Sequence, residues 1–239
     1  MVAVAPLRCL LICAAVLPLA AETLEPVHDL RLGISAMPTP MVSENISDPN
    51  NSSTYDWRNS YPGGVGLRLE LGWWQGGPLK ATSSITSLWM VGLNISSVNT
   101  TPDSYEIGST TSTNTRQDLR TKFRQYGVAV GYGLATMPHD TELGDLHWEL
   151  LPILRGGYGR ADTVSPGVDP TIGSGHGLWW EGSLEGGLVL TNDHWVFNPF
   201  IGVAYGKFST SIDLPNDTTS DLTITTFAPL IGVRLGGSF

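Results

Sequence analysis

Hydrophobic and polar residues alternate along most of the chain, and this pattern indicates β-strands. The clearest example is segment 65–73, VGLRLELGW, in which every odd residue is apolar and every even residue is glycine or charged. The same period of two recurs in segments 126–134 and 227–239. A period of two places apolar side chains on one face of a strand and polar side chains on the other. The pattern therefore predicts strands with two unlike faces.

Applied to the whole chain, the pattern predicts eight strands. They cover residues 28–37, 62–74, 84–96, 122–135, 145–159, 177–190, 195–209 and 223–239. Most exceed the length of about five or six residues that is usual in soluble domains, and match the roughly 9–11 tilted residues that cross a hydrocarbon core. The connections between them alternate between long, polar ones and short ones. The chain is therefore predicted to be all-β, an eight-stranded antiparallel up-and-down transmembrane β-barrel with its long connections at one end.

Three prolines lie inside predicted strands. Pro152, Pro199 and Pro229 each remove a backbone donor from the hydrogen-bond ladder. We expect bulges or strand starts at these positions.

Aromatic residues fall at two levels of the predicted strands. Trp73, Trp148, Trp195, Phe197 and Phe239 lie at the short-turn end, and Tyr126, Tyr158, Trp180 and Phe227 lie at or near the other end. Amphipathic rings concentrate at the two interfaces of a membrane. A soluble β-sandwich has no reason to sort its rings in this way. The arrangement therefore favours the membrane barrel over a soluble binding barrel or sandwich, which is the competing fold.

The first 21 residues are typical of a secretory signal peptide. They carry one charge, Arg8, then an apolar run from Cys9 to Leu17 and small residues before Glu22. The run is shorter than the roughly 20 residues that a transmembrane helix needs. We expect residues 1–21 to be removed, which leaves residues 22–239 as an exported barrel domain without cysteine.

Composition excludes two classes of protein. The net charge is −9, whereas a nucleic-acid-binding protein needs a basic face. Hydrophobic residues make up 41% of the chain, which argues against intrinsic disorder. Nucleic acid is therefore not expected among the partners.

The charged residues inside the predicted strands share the polar face. They are four arginines and four glutamates: Arg31, Arg68, Glu70, Glu149, Arg155, Glu181, Glu185 and Arg234. A cation on the lipid face near the membrane midplane costs about 2–4 kcal/mol, so we expect these residues in the lumen. The balance of signs predicts a paired network that closes the lumen, with a gate or narrow ion path as the alternative. An eight-stranded barrel is wide enough only for its own side chains, and inward glycines make room for Arg and Glu, so no open pore is expected.

The last strand resembles that of a known family. Apolar residues occupy alternate positions before a C-terminal phenylalanine, at Ile231, Val233, Leu235 and Phe239. With the signal peptide and the eight alternating segments, the chain resembles bacterial outer-membrane β-barrels of the outer membrane protein A-like type. In that family the terminal segment is an assembly signal. The resemblance implies the outer membrane of a Gram-negative cell as the location and the barrel assembly machinery as a partner during biogenesis.

A cluster of cations lies at the entry to the fourth strand. Arg120, Lys122 and Arg124 share the parity of Tyr126 and Val128, so they are expected to face outward at the level of the lipid headgroups. We hypothesise that they bind phosphates of lipopolysaccharide through charge-assisted hydrogen bonds. The alternative is a solvated loop end.

Histidines provide weak evidence for catalysis or metal binding. Some eight-stranded barrels modify lipid A and need a histidine near a serine and an acid. His147 shares a face with Glu149 but lies at the short-turn end, and His176 lies near Ser174 and Glu181 in sequence. His147 and Glu149 supply at most two metal ligands. No catalytic residue, metal or cofactor is predicted.

These observations together predict a non-enzymatic outer-membrane barrel with a closed polar interior. Its expected role is in outer-membrane integrity or in surface interaction and adhesion. The alternatives are a lipid A modifying enzyme and a narrow, gated, porin-like channel. The composition of the long connections does not identify an extracellular partner.

Overall fold

Eight long antiparallel strands form a closed ring in the computed structural model. They are β1 (His28–Pro38), β2 (Val65–Gly76), β3 (Ile85–Asn99), β4 (Arg120–Thr136), β5 (Gly144–Val164), β6 (Thr171–Asn192), β7 (Trp195–Leu214) and β8 (Thr218–Ser238). Each strand pairs with its neighbours in sequence, and β8 also pairs with β1, which closes the barrel. The structure describes residues 28–38, 41–47, 56–57, 65–76, 84–99, 107–108, 120–164, 171–192, 194–214 and 218–238.

Short strands extend the barrel at its ends. Met41–Ser47 pairs with β8 beyond the end of β1, and His139–Thr141 forms a hairpin with the start of β5. Asp56–Trp57 pairs with Ile107–Gly108 in a separate sheet of two strands. Within the ranges given above, no helix is long and apolar enough to cross a membrane.

The predicted orientation of the two strand faces is confirmed. On β2, Leu69 is 52% exposed, whereas its neighbours Arg68 and Glu70 are 2% and 4% exposed. Val130 on β4 and Leu184 on β6 also lie on the outer surface. The apolar side chains therefore point away from the barrel axis and the charged ones point into the lumen.

The strands β5 to β8 are longer than predicted. They contain 20 to 22 residues and continue past the predicted ends at the long-connection side of the barrel. In these extensions Ser, Thr and Asp replace the apolar residues of the outer face. Because the outer face is polar there, the alternation stops before the hydrogen-bond ladder does, although Ala161 and Leu222 in these extensions are still buried on the inner face.

The prediction that the prolines mark bulges or strand starts is wrong for two of them. The pairing of β4 with β5 has the same register on both sides of Pro152, and that of β6 with β7 on both sides of Pro199. Each ladder only lacks the pairs beside the ring, because proline has no N–H to donate. Pro229 lies where the partner of β8 changes from β1 to Met41–Ser47.

Aromatic rings form two outward rows, as predicted. Trp73, Trp89, Trp148, Trp195 and Phe197 lie towards the short turns, and Tyr126, Tyr158, Trp180, Tyr205 and Phe227 lie towards the long connections. Neighbouring rings within a row touch, as in the pair Trp180 and Tyr205, whose centroids are 5.7 Å apart. Phe239 lies outside the described residues. The two rows mark the two levels of the membrane interface on the barrel.

Candidate functional sites in the lumen and on the outer face

Arg155 is the centre of a buried ion-pair network. β5 places this residue in the lumen, where its side chain is 1% exposed. Its Nη2 donates to Glu70 at 2.6 Å and to Glu185 at 2.8 Å. Its Nη1 donates to the hydroxyl of Ser183 at 2.6 Å and lies 3.4 Å from an oxygen of Glu181. One guanidinium therefore contacts three carboxylates on two other strands.

Arg234 on β8 binds two of the same carboxylates. Its Nη2 donates to Glu70 at 3.1 Å and also to Glu185. Its Nη1 donates to the side-chain oxygen of Asn198 at 3.3 Å, and its Cζ lies 3.9 Å from the ring centroid of Phe200. The ring contact has the geometry of a cation–π interaction, which is stronger in a desolvated site.

Two further arginines cross the whole width of the barrel. Arg31 on β1 binds both carboxylate oxygens of Glu149 on β5, at 2.9 and 3.0 Å, and donates to Asp29 at 2.8 Å. Arg68 on β2 binds Glu181 on β6 at 2.5 and 2.6 Å. In both cases the two strands lie four places apart in the ring of eight, on opposite walls. Each pair therefore obstructs the lumen at its own level.

All eight charged residues predicted for the lumen are brought together there, and each has a partner of opposite charge. The sequence analysis missed Asp29, Ser183 and Asn198, which accept further hydrogen bonds from Arg31, Arg155 and Arg234, respectively. Asp29 was recognisable, because it lies two residues before Arg31 and so faces the same side of β1. With Asp29, five buried carboxylates face four buried guanidiniums among the described residues.

Glycines leave the space through which the arginines reach across. A Cβ at Gly33 would lie 3.0 Å from Cγ of Arg234, and one at Gly236 would lie 2.9 Å from Cγ of Arg31. Both distances are shorter than an ordinary van der Waals contact between carbon atoms. The prediction that inward glycines accommodate the long charged side chains is thus consistent with the packing.

The half of the lumen next to the long connections is apolar, which corrects the prediction of a polar interior. Phe123 and Phe208 contact each other there with ring centroids 4.6 Å apart. The indole of Trp179 packs into the same cluster and donates to the backbone oxygen of Tyr126 at 3.2 Å. Other members are Met37, Val98, Leu222 and Ile224. The polar prediction is right for the charged layers and wrong for this half, where the narrow lumen is packed like a protein core. It is also wrong for a second buried apolar cluster, which contains Trp74, Met90 and Leu151.

The distribution of apolar and charged side chains shows which surface of the barrel faces lipid. Apolar side chains cover the outside while buried ions fill much of the inside, which is the reverse of a soluble protein. The chain has the fold of an eight-stranded antiparallel transmembrane β-barrel. The competing soluble sandwich requires Leu69, Val130 and Leu184 to pack in an enclosed centre, and this is wrong because all three are exposed.

Several solved structures of bacterial proteins are similar to this barrel. The attachment invasion locus protein Ail of Yersinia pestis is 13% identical, with 90% of this chain and 100% of that chain covered and a TM-score of 0.34. The outer membrane protein OprG of Pseudomonas aeruginosa is 12% identical, with coverages of 89% and 95% and a TM-score of 0.41. The outer membrane protease OmpT of Escherichia coli is 11% identical, with coverages of 91% and 99% and a TM-score of 0.38. No protein-family model and no curated protein matches the sequence. Likeness at this level concerns the fold and transfers no activity.

The cations predicted to bind lipopolysaccharide lie at the long-connection end of β4. Lys122 and Arg124 are exposed on the outer face. Arg120 belongs to β4, but its side chain lies outside the described part of the chain. The structure adds Arg160 on β5, which is the direct cross-strand partner of Arg124.

The residues of the predicted assembly signal line the outer face of β8. Ile231 and Leu235 are 56% and 57% exposed, and Val233 lies between them on the same face. Phe239 is again beyond the described residues. The contact of these side chains with the assembly machinery stays a prediction.

The histidines considered for catalysis do not form a triad with the acids named beside them. Nε2 of His147 lies 3.4 Å from an oxygen of Glu149, but that carboxylate is already held by Arg31. His176 is exposed on the outside and stacks on Tyr158, whereas Glu181 is buried in the lumen on the other side of the barrel wall. Within the described ranges, no three His, Cys, Asp or Glu side chains are grouped as metal ligands.

Proposed function

We propose that this barrel is a non-enzymatic outer-membrane protein with a closed lumen, acting in outer-membrane integrity or in surface interaction and adhesion. The observation that supports the proposal is the filling of the lumen by side chains of the barrel itself. Two ion pairs join opposite walls of the lumen, and the ion-pair network around Arg155 fills the space beside them.

Passage of a solute requires these contacts to break. The pair of Arg31 and Glu149 and the pair of Arg68 and Glu181 are each almost fully buried, with side chains 2% to 4% exposed. Separating a buried charge from its partner costs about 3–5 kcal/mol. Beyond the ion pairs, the cluster around Trp179 adds an apolar layer that a hydrated ion enters only by losing water. The closed state is therefore the stable one.

The outer-membrane location is supported by the architecture. A closed antiparallel barrel with short turns at one end, long connections at the other and two aromatic rows is typical of proteins of that membrane. The apolar N-terminal segment 1–21 fits export through the inner membrane.

Conductance in planar lipid bilayers tests the closed lumen. Folded protein, verified by the difference in gel mobility between boiled and unboiled samples, is reconstituted in concentrated potassium chloride. We expect no unitary current. Regular current steps that disappear with a heat-unfolded sample would contradict the closed lumen and favour the gated channel.

Two further assays separate the remaining roles. Deletion of the gene is expected to raise the uptake of apolar dyes if the barrel supports membrane integrity. Shortening the connection 100–119 is expected to leave dye uptake normal but to reduce attachment to surfaces if the barrel acts in adhesion. Lipid A incubated with the purified barrel should keep its acyl chains by mass spectrometry, and a changed acyl pattern would contradict the non-enzymatic role.

A further inference from the structure

Positive charge accumulates on the outer face where β4 and β5 approach the long connections. Lys122 and Arg124 on β4 and Arg160 on β5 are exposed there, and we name these three residues the outer basic cluster. Arg124 lies directly opposite Arg160, and Lys122 lies opposite Asp162. At this level of β3 to β6, Asp162 is the only outward carboxylate among the described residues, so three cations face one acid.

The two arginines form an unfavourable pair by themselves. Directly opposed residues of an antiparallel ladder have Cβ atoms about 4.5–5.5 Å apart, and like charges at that distance are destabilising. Asp162 accepts a hydrogen bond from Nε of Arg160 at 2.8 Å and so offsets part of the charge. Among the described residues, no comparable acid lies beside Arg124. An anion placed between Arg124 and Arg160 would turn the repulsion into attraction.

The outer basic cluster lies at the depth of lipid headgroups. Two residues closer to the barrel middle, Tyr126 and Tyr158 face each other in the outward aromatic row. Rings of such a row mark the membrane interface, and two strand residues span about 6–7 Å. Cations just beyond the rings therefore meet the phosphate layer of the leaflet on the long-connection side.

We propose that the outer basic cluster binds one phosphate group of a lipopolysaccharide molecule in that leaflet. Arg124 and Arg160 donate to the phosphate from adjacent strands, and Lys122 contributes a third positive charge. Arginine suits this role because its planar donors match phosphate oxygens. The binding site extends the cations predicted on β4 to a second strand. It rests on the outer-membrane location in the proposed function, but it does not depend on whether the lumen conducts.

Binding of lipid A to the folded barrel in a neutral detergent tests this site, with native mass spectrometry as the readout. The probes are lipid A carrying both phosphates, dephosphorylated lipid A and inorganic phosphate. The variant is Arg124→Gln/Arg160→Gln, and the control is Lys207→Gln, an exposed outward cation on β7 opposite Trp180. We expect the double variant to bind phosphorylated lipid A at least about tenfold more weakly and the control to bind it normally.

The other probes identify the source of the phosphate. Dephosphorylated lipid A should bind the unaltered barrel as weakly as the phosphorylated form binds the double variant. Equal binding of the two lipids would overturn the proposal, because acyl chains alone would then explain the affinity. Binding of inorganic phosphate as tight as that of lipid A would also overturn it, because the site would then be one for a free anion.

The unfolding temperature provides a second test, because lipopolysaccharide should change which of the two proteins, unaltered or Arg124→Gln, is more stable. Without lipopolysaccharide, Arg124→Gln removes the cross-strand repulsion and should raise the unfolding temperature or leave it unchanged. With lipopolysaccharide, the unaltered barrel should gain stability and the variant should gain less, so the order of the two reverses. A variant that is less stable by the same amount in both conditions would contradict phosphate binding, because a purely structural role of Arg124 would give that result.

Discussion

Replacing Arg155 with methionine removes the cation on which the lumen network converges. The guanidinium makes contacts of 2.6 to 3.4 Å with Glu70, Glu181, Glu185 and Ser183. Methionine fills much of the same volume without charge or donors. The change therefore tests the electrostatic part of the network more than its packing.

The expected loss of stability follows from the partners that remain. Loss of one partner from a buried ion pair costs about 3–5 kcal/mol. In the Arg155→Met variant, Glu70 and Glu185 still contact Arg234, and Glu181 still contacts Arg68. No carboxylate is left entirely alone, so we expect the lower end of the range, about 3 kcal/mol.

Equilibrium unfolding in urea, followed by tryptophan fluorescence in detergent without lipopolysaccharide, measures this loss. The control is Arg160→Gln on the same strand, whose pair with Asp162 is 46% exposed on the arginine side. Exposed pairs contribute about 0–1 kcal/mol, so the control should remain close to the unaltered protein. Adding Glu185→Gln to Arg155→Met should recover part of the loss, because the excess of negative charge in the network then falls by one. An Arg155→Met variant that folds and unfolds within about 1 kcal/mol of the unaltered barrel would refute the reasoning.

Substitutions at four other positions are tested by urea unfolding, those at Val130 in lipid bilayers and the rest in detergent. Val130→Arg places a cation on the lipid face and should cost about 2–4 kcal/mol in lipid bilayers, whereas Val130→Leu should cost little. Trp179→Ala should cost about 3–5 kcal/mol by opening a cavity in the apolar half of the lumen. Gly182→Ala should stabilise the barrel by about 0.4–1 kcal/mol, because its Cβ would meet no atom within 4 Å, whereas Gly133→Ala should destabilise it, because its Cβ would lie 2.1 Å from the backbone oxygen of Leu150.

The fold was predictable from sequence because a lipid exterior enforces the alternation of side chains. On β2, the outward residues Leu67, Leu69 and Leu71 are apolar, whereas the inward residues between them are charged. The outer ends of β5 to β8 were not predictable, since polar residues replace the apolar ones on their outer face and the alternation is lost. The prediction for Pro152 and Pro199 was wrong because a proline whose ring points outward removes only the hydrogen bonds beside it. The register of the two strands stays the same.

The charged site was predictable in membership but not in pairing. Parity alone assigned Arg68 and Glu181 to the lumen. Their contact depends on the relative height of β2 and β6, which are separated by 113 residues at this pair. The apolar half of the lumen was not predicted, because the sequence analysis assigned only charged residues and glycines to the inward face. Phe123 and Ile224 occupy inward positions of the alternating pattern on their strands and could have been assigned in the same way.

The orientation of the side chains is the central claim, and spin labels at single cysteines test it most directly. Residues 22–239 contain no cysteine, so one can be introduced at each position in turn. The protein is reconstituted in lipid vesicles, and collisions of the label with oxygen, which concentrates in acyl chains, are measured by electron paramagnetic resonance. We predict frequent collisions for labels at Leu69 and Val130 and few for labels at Ser35 and Ala129, which line the lumen. Labels at Leu69 and Val130 that are shielded from oxygen, in a protein that stays soluble without detergent, would contradict the account.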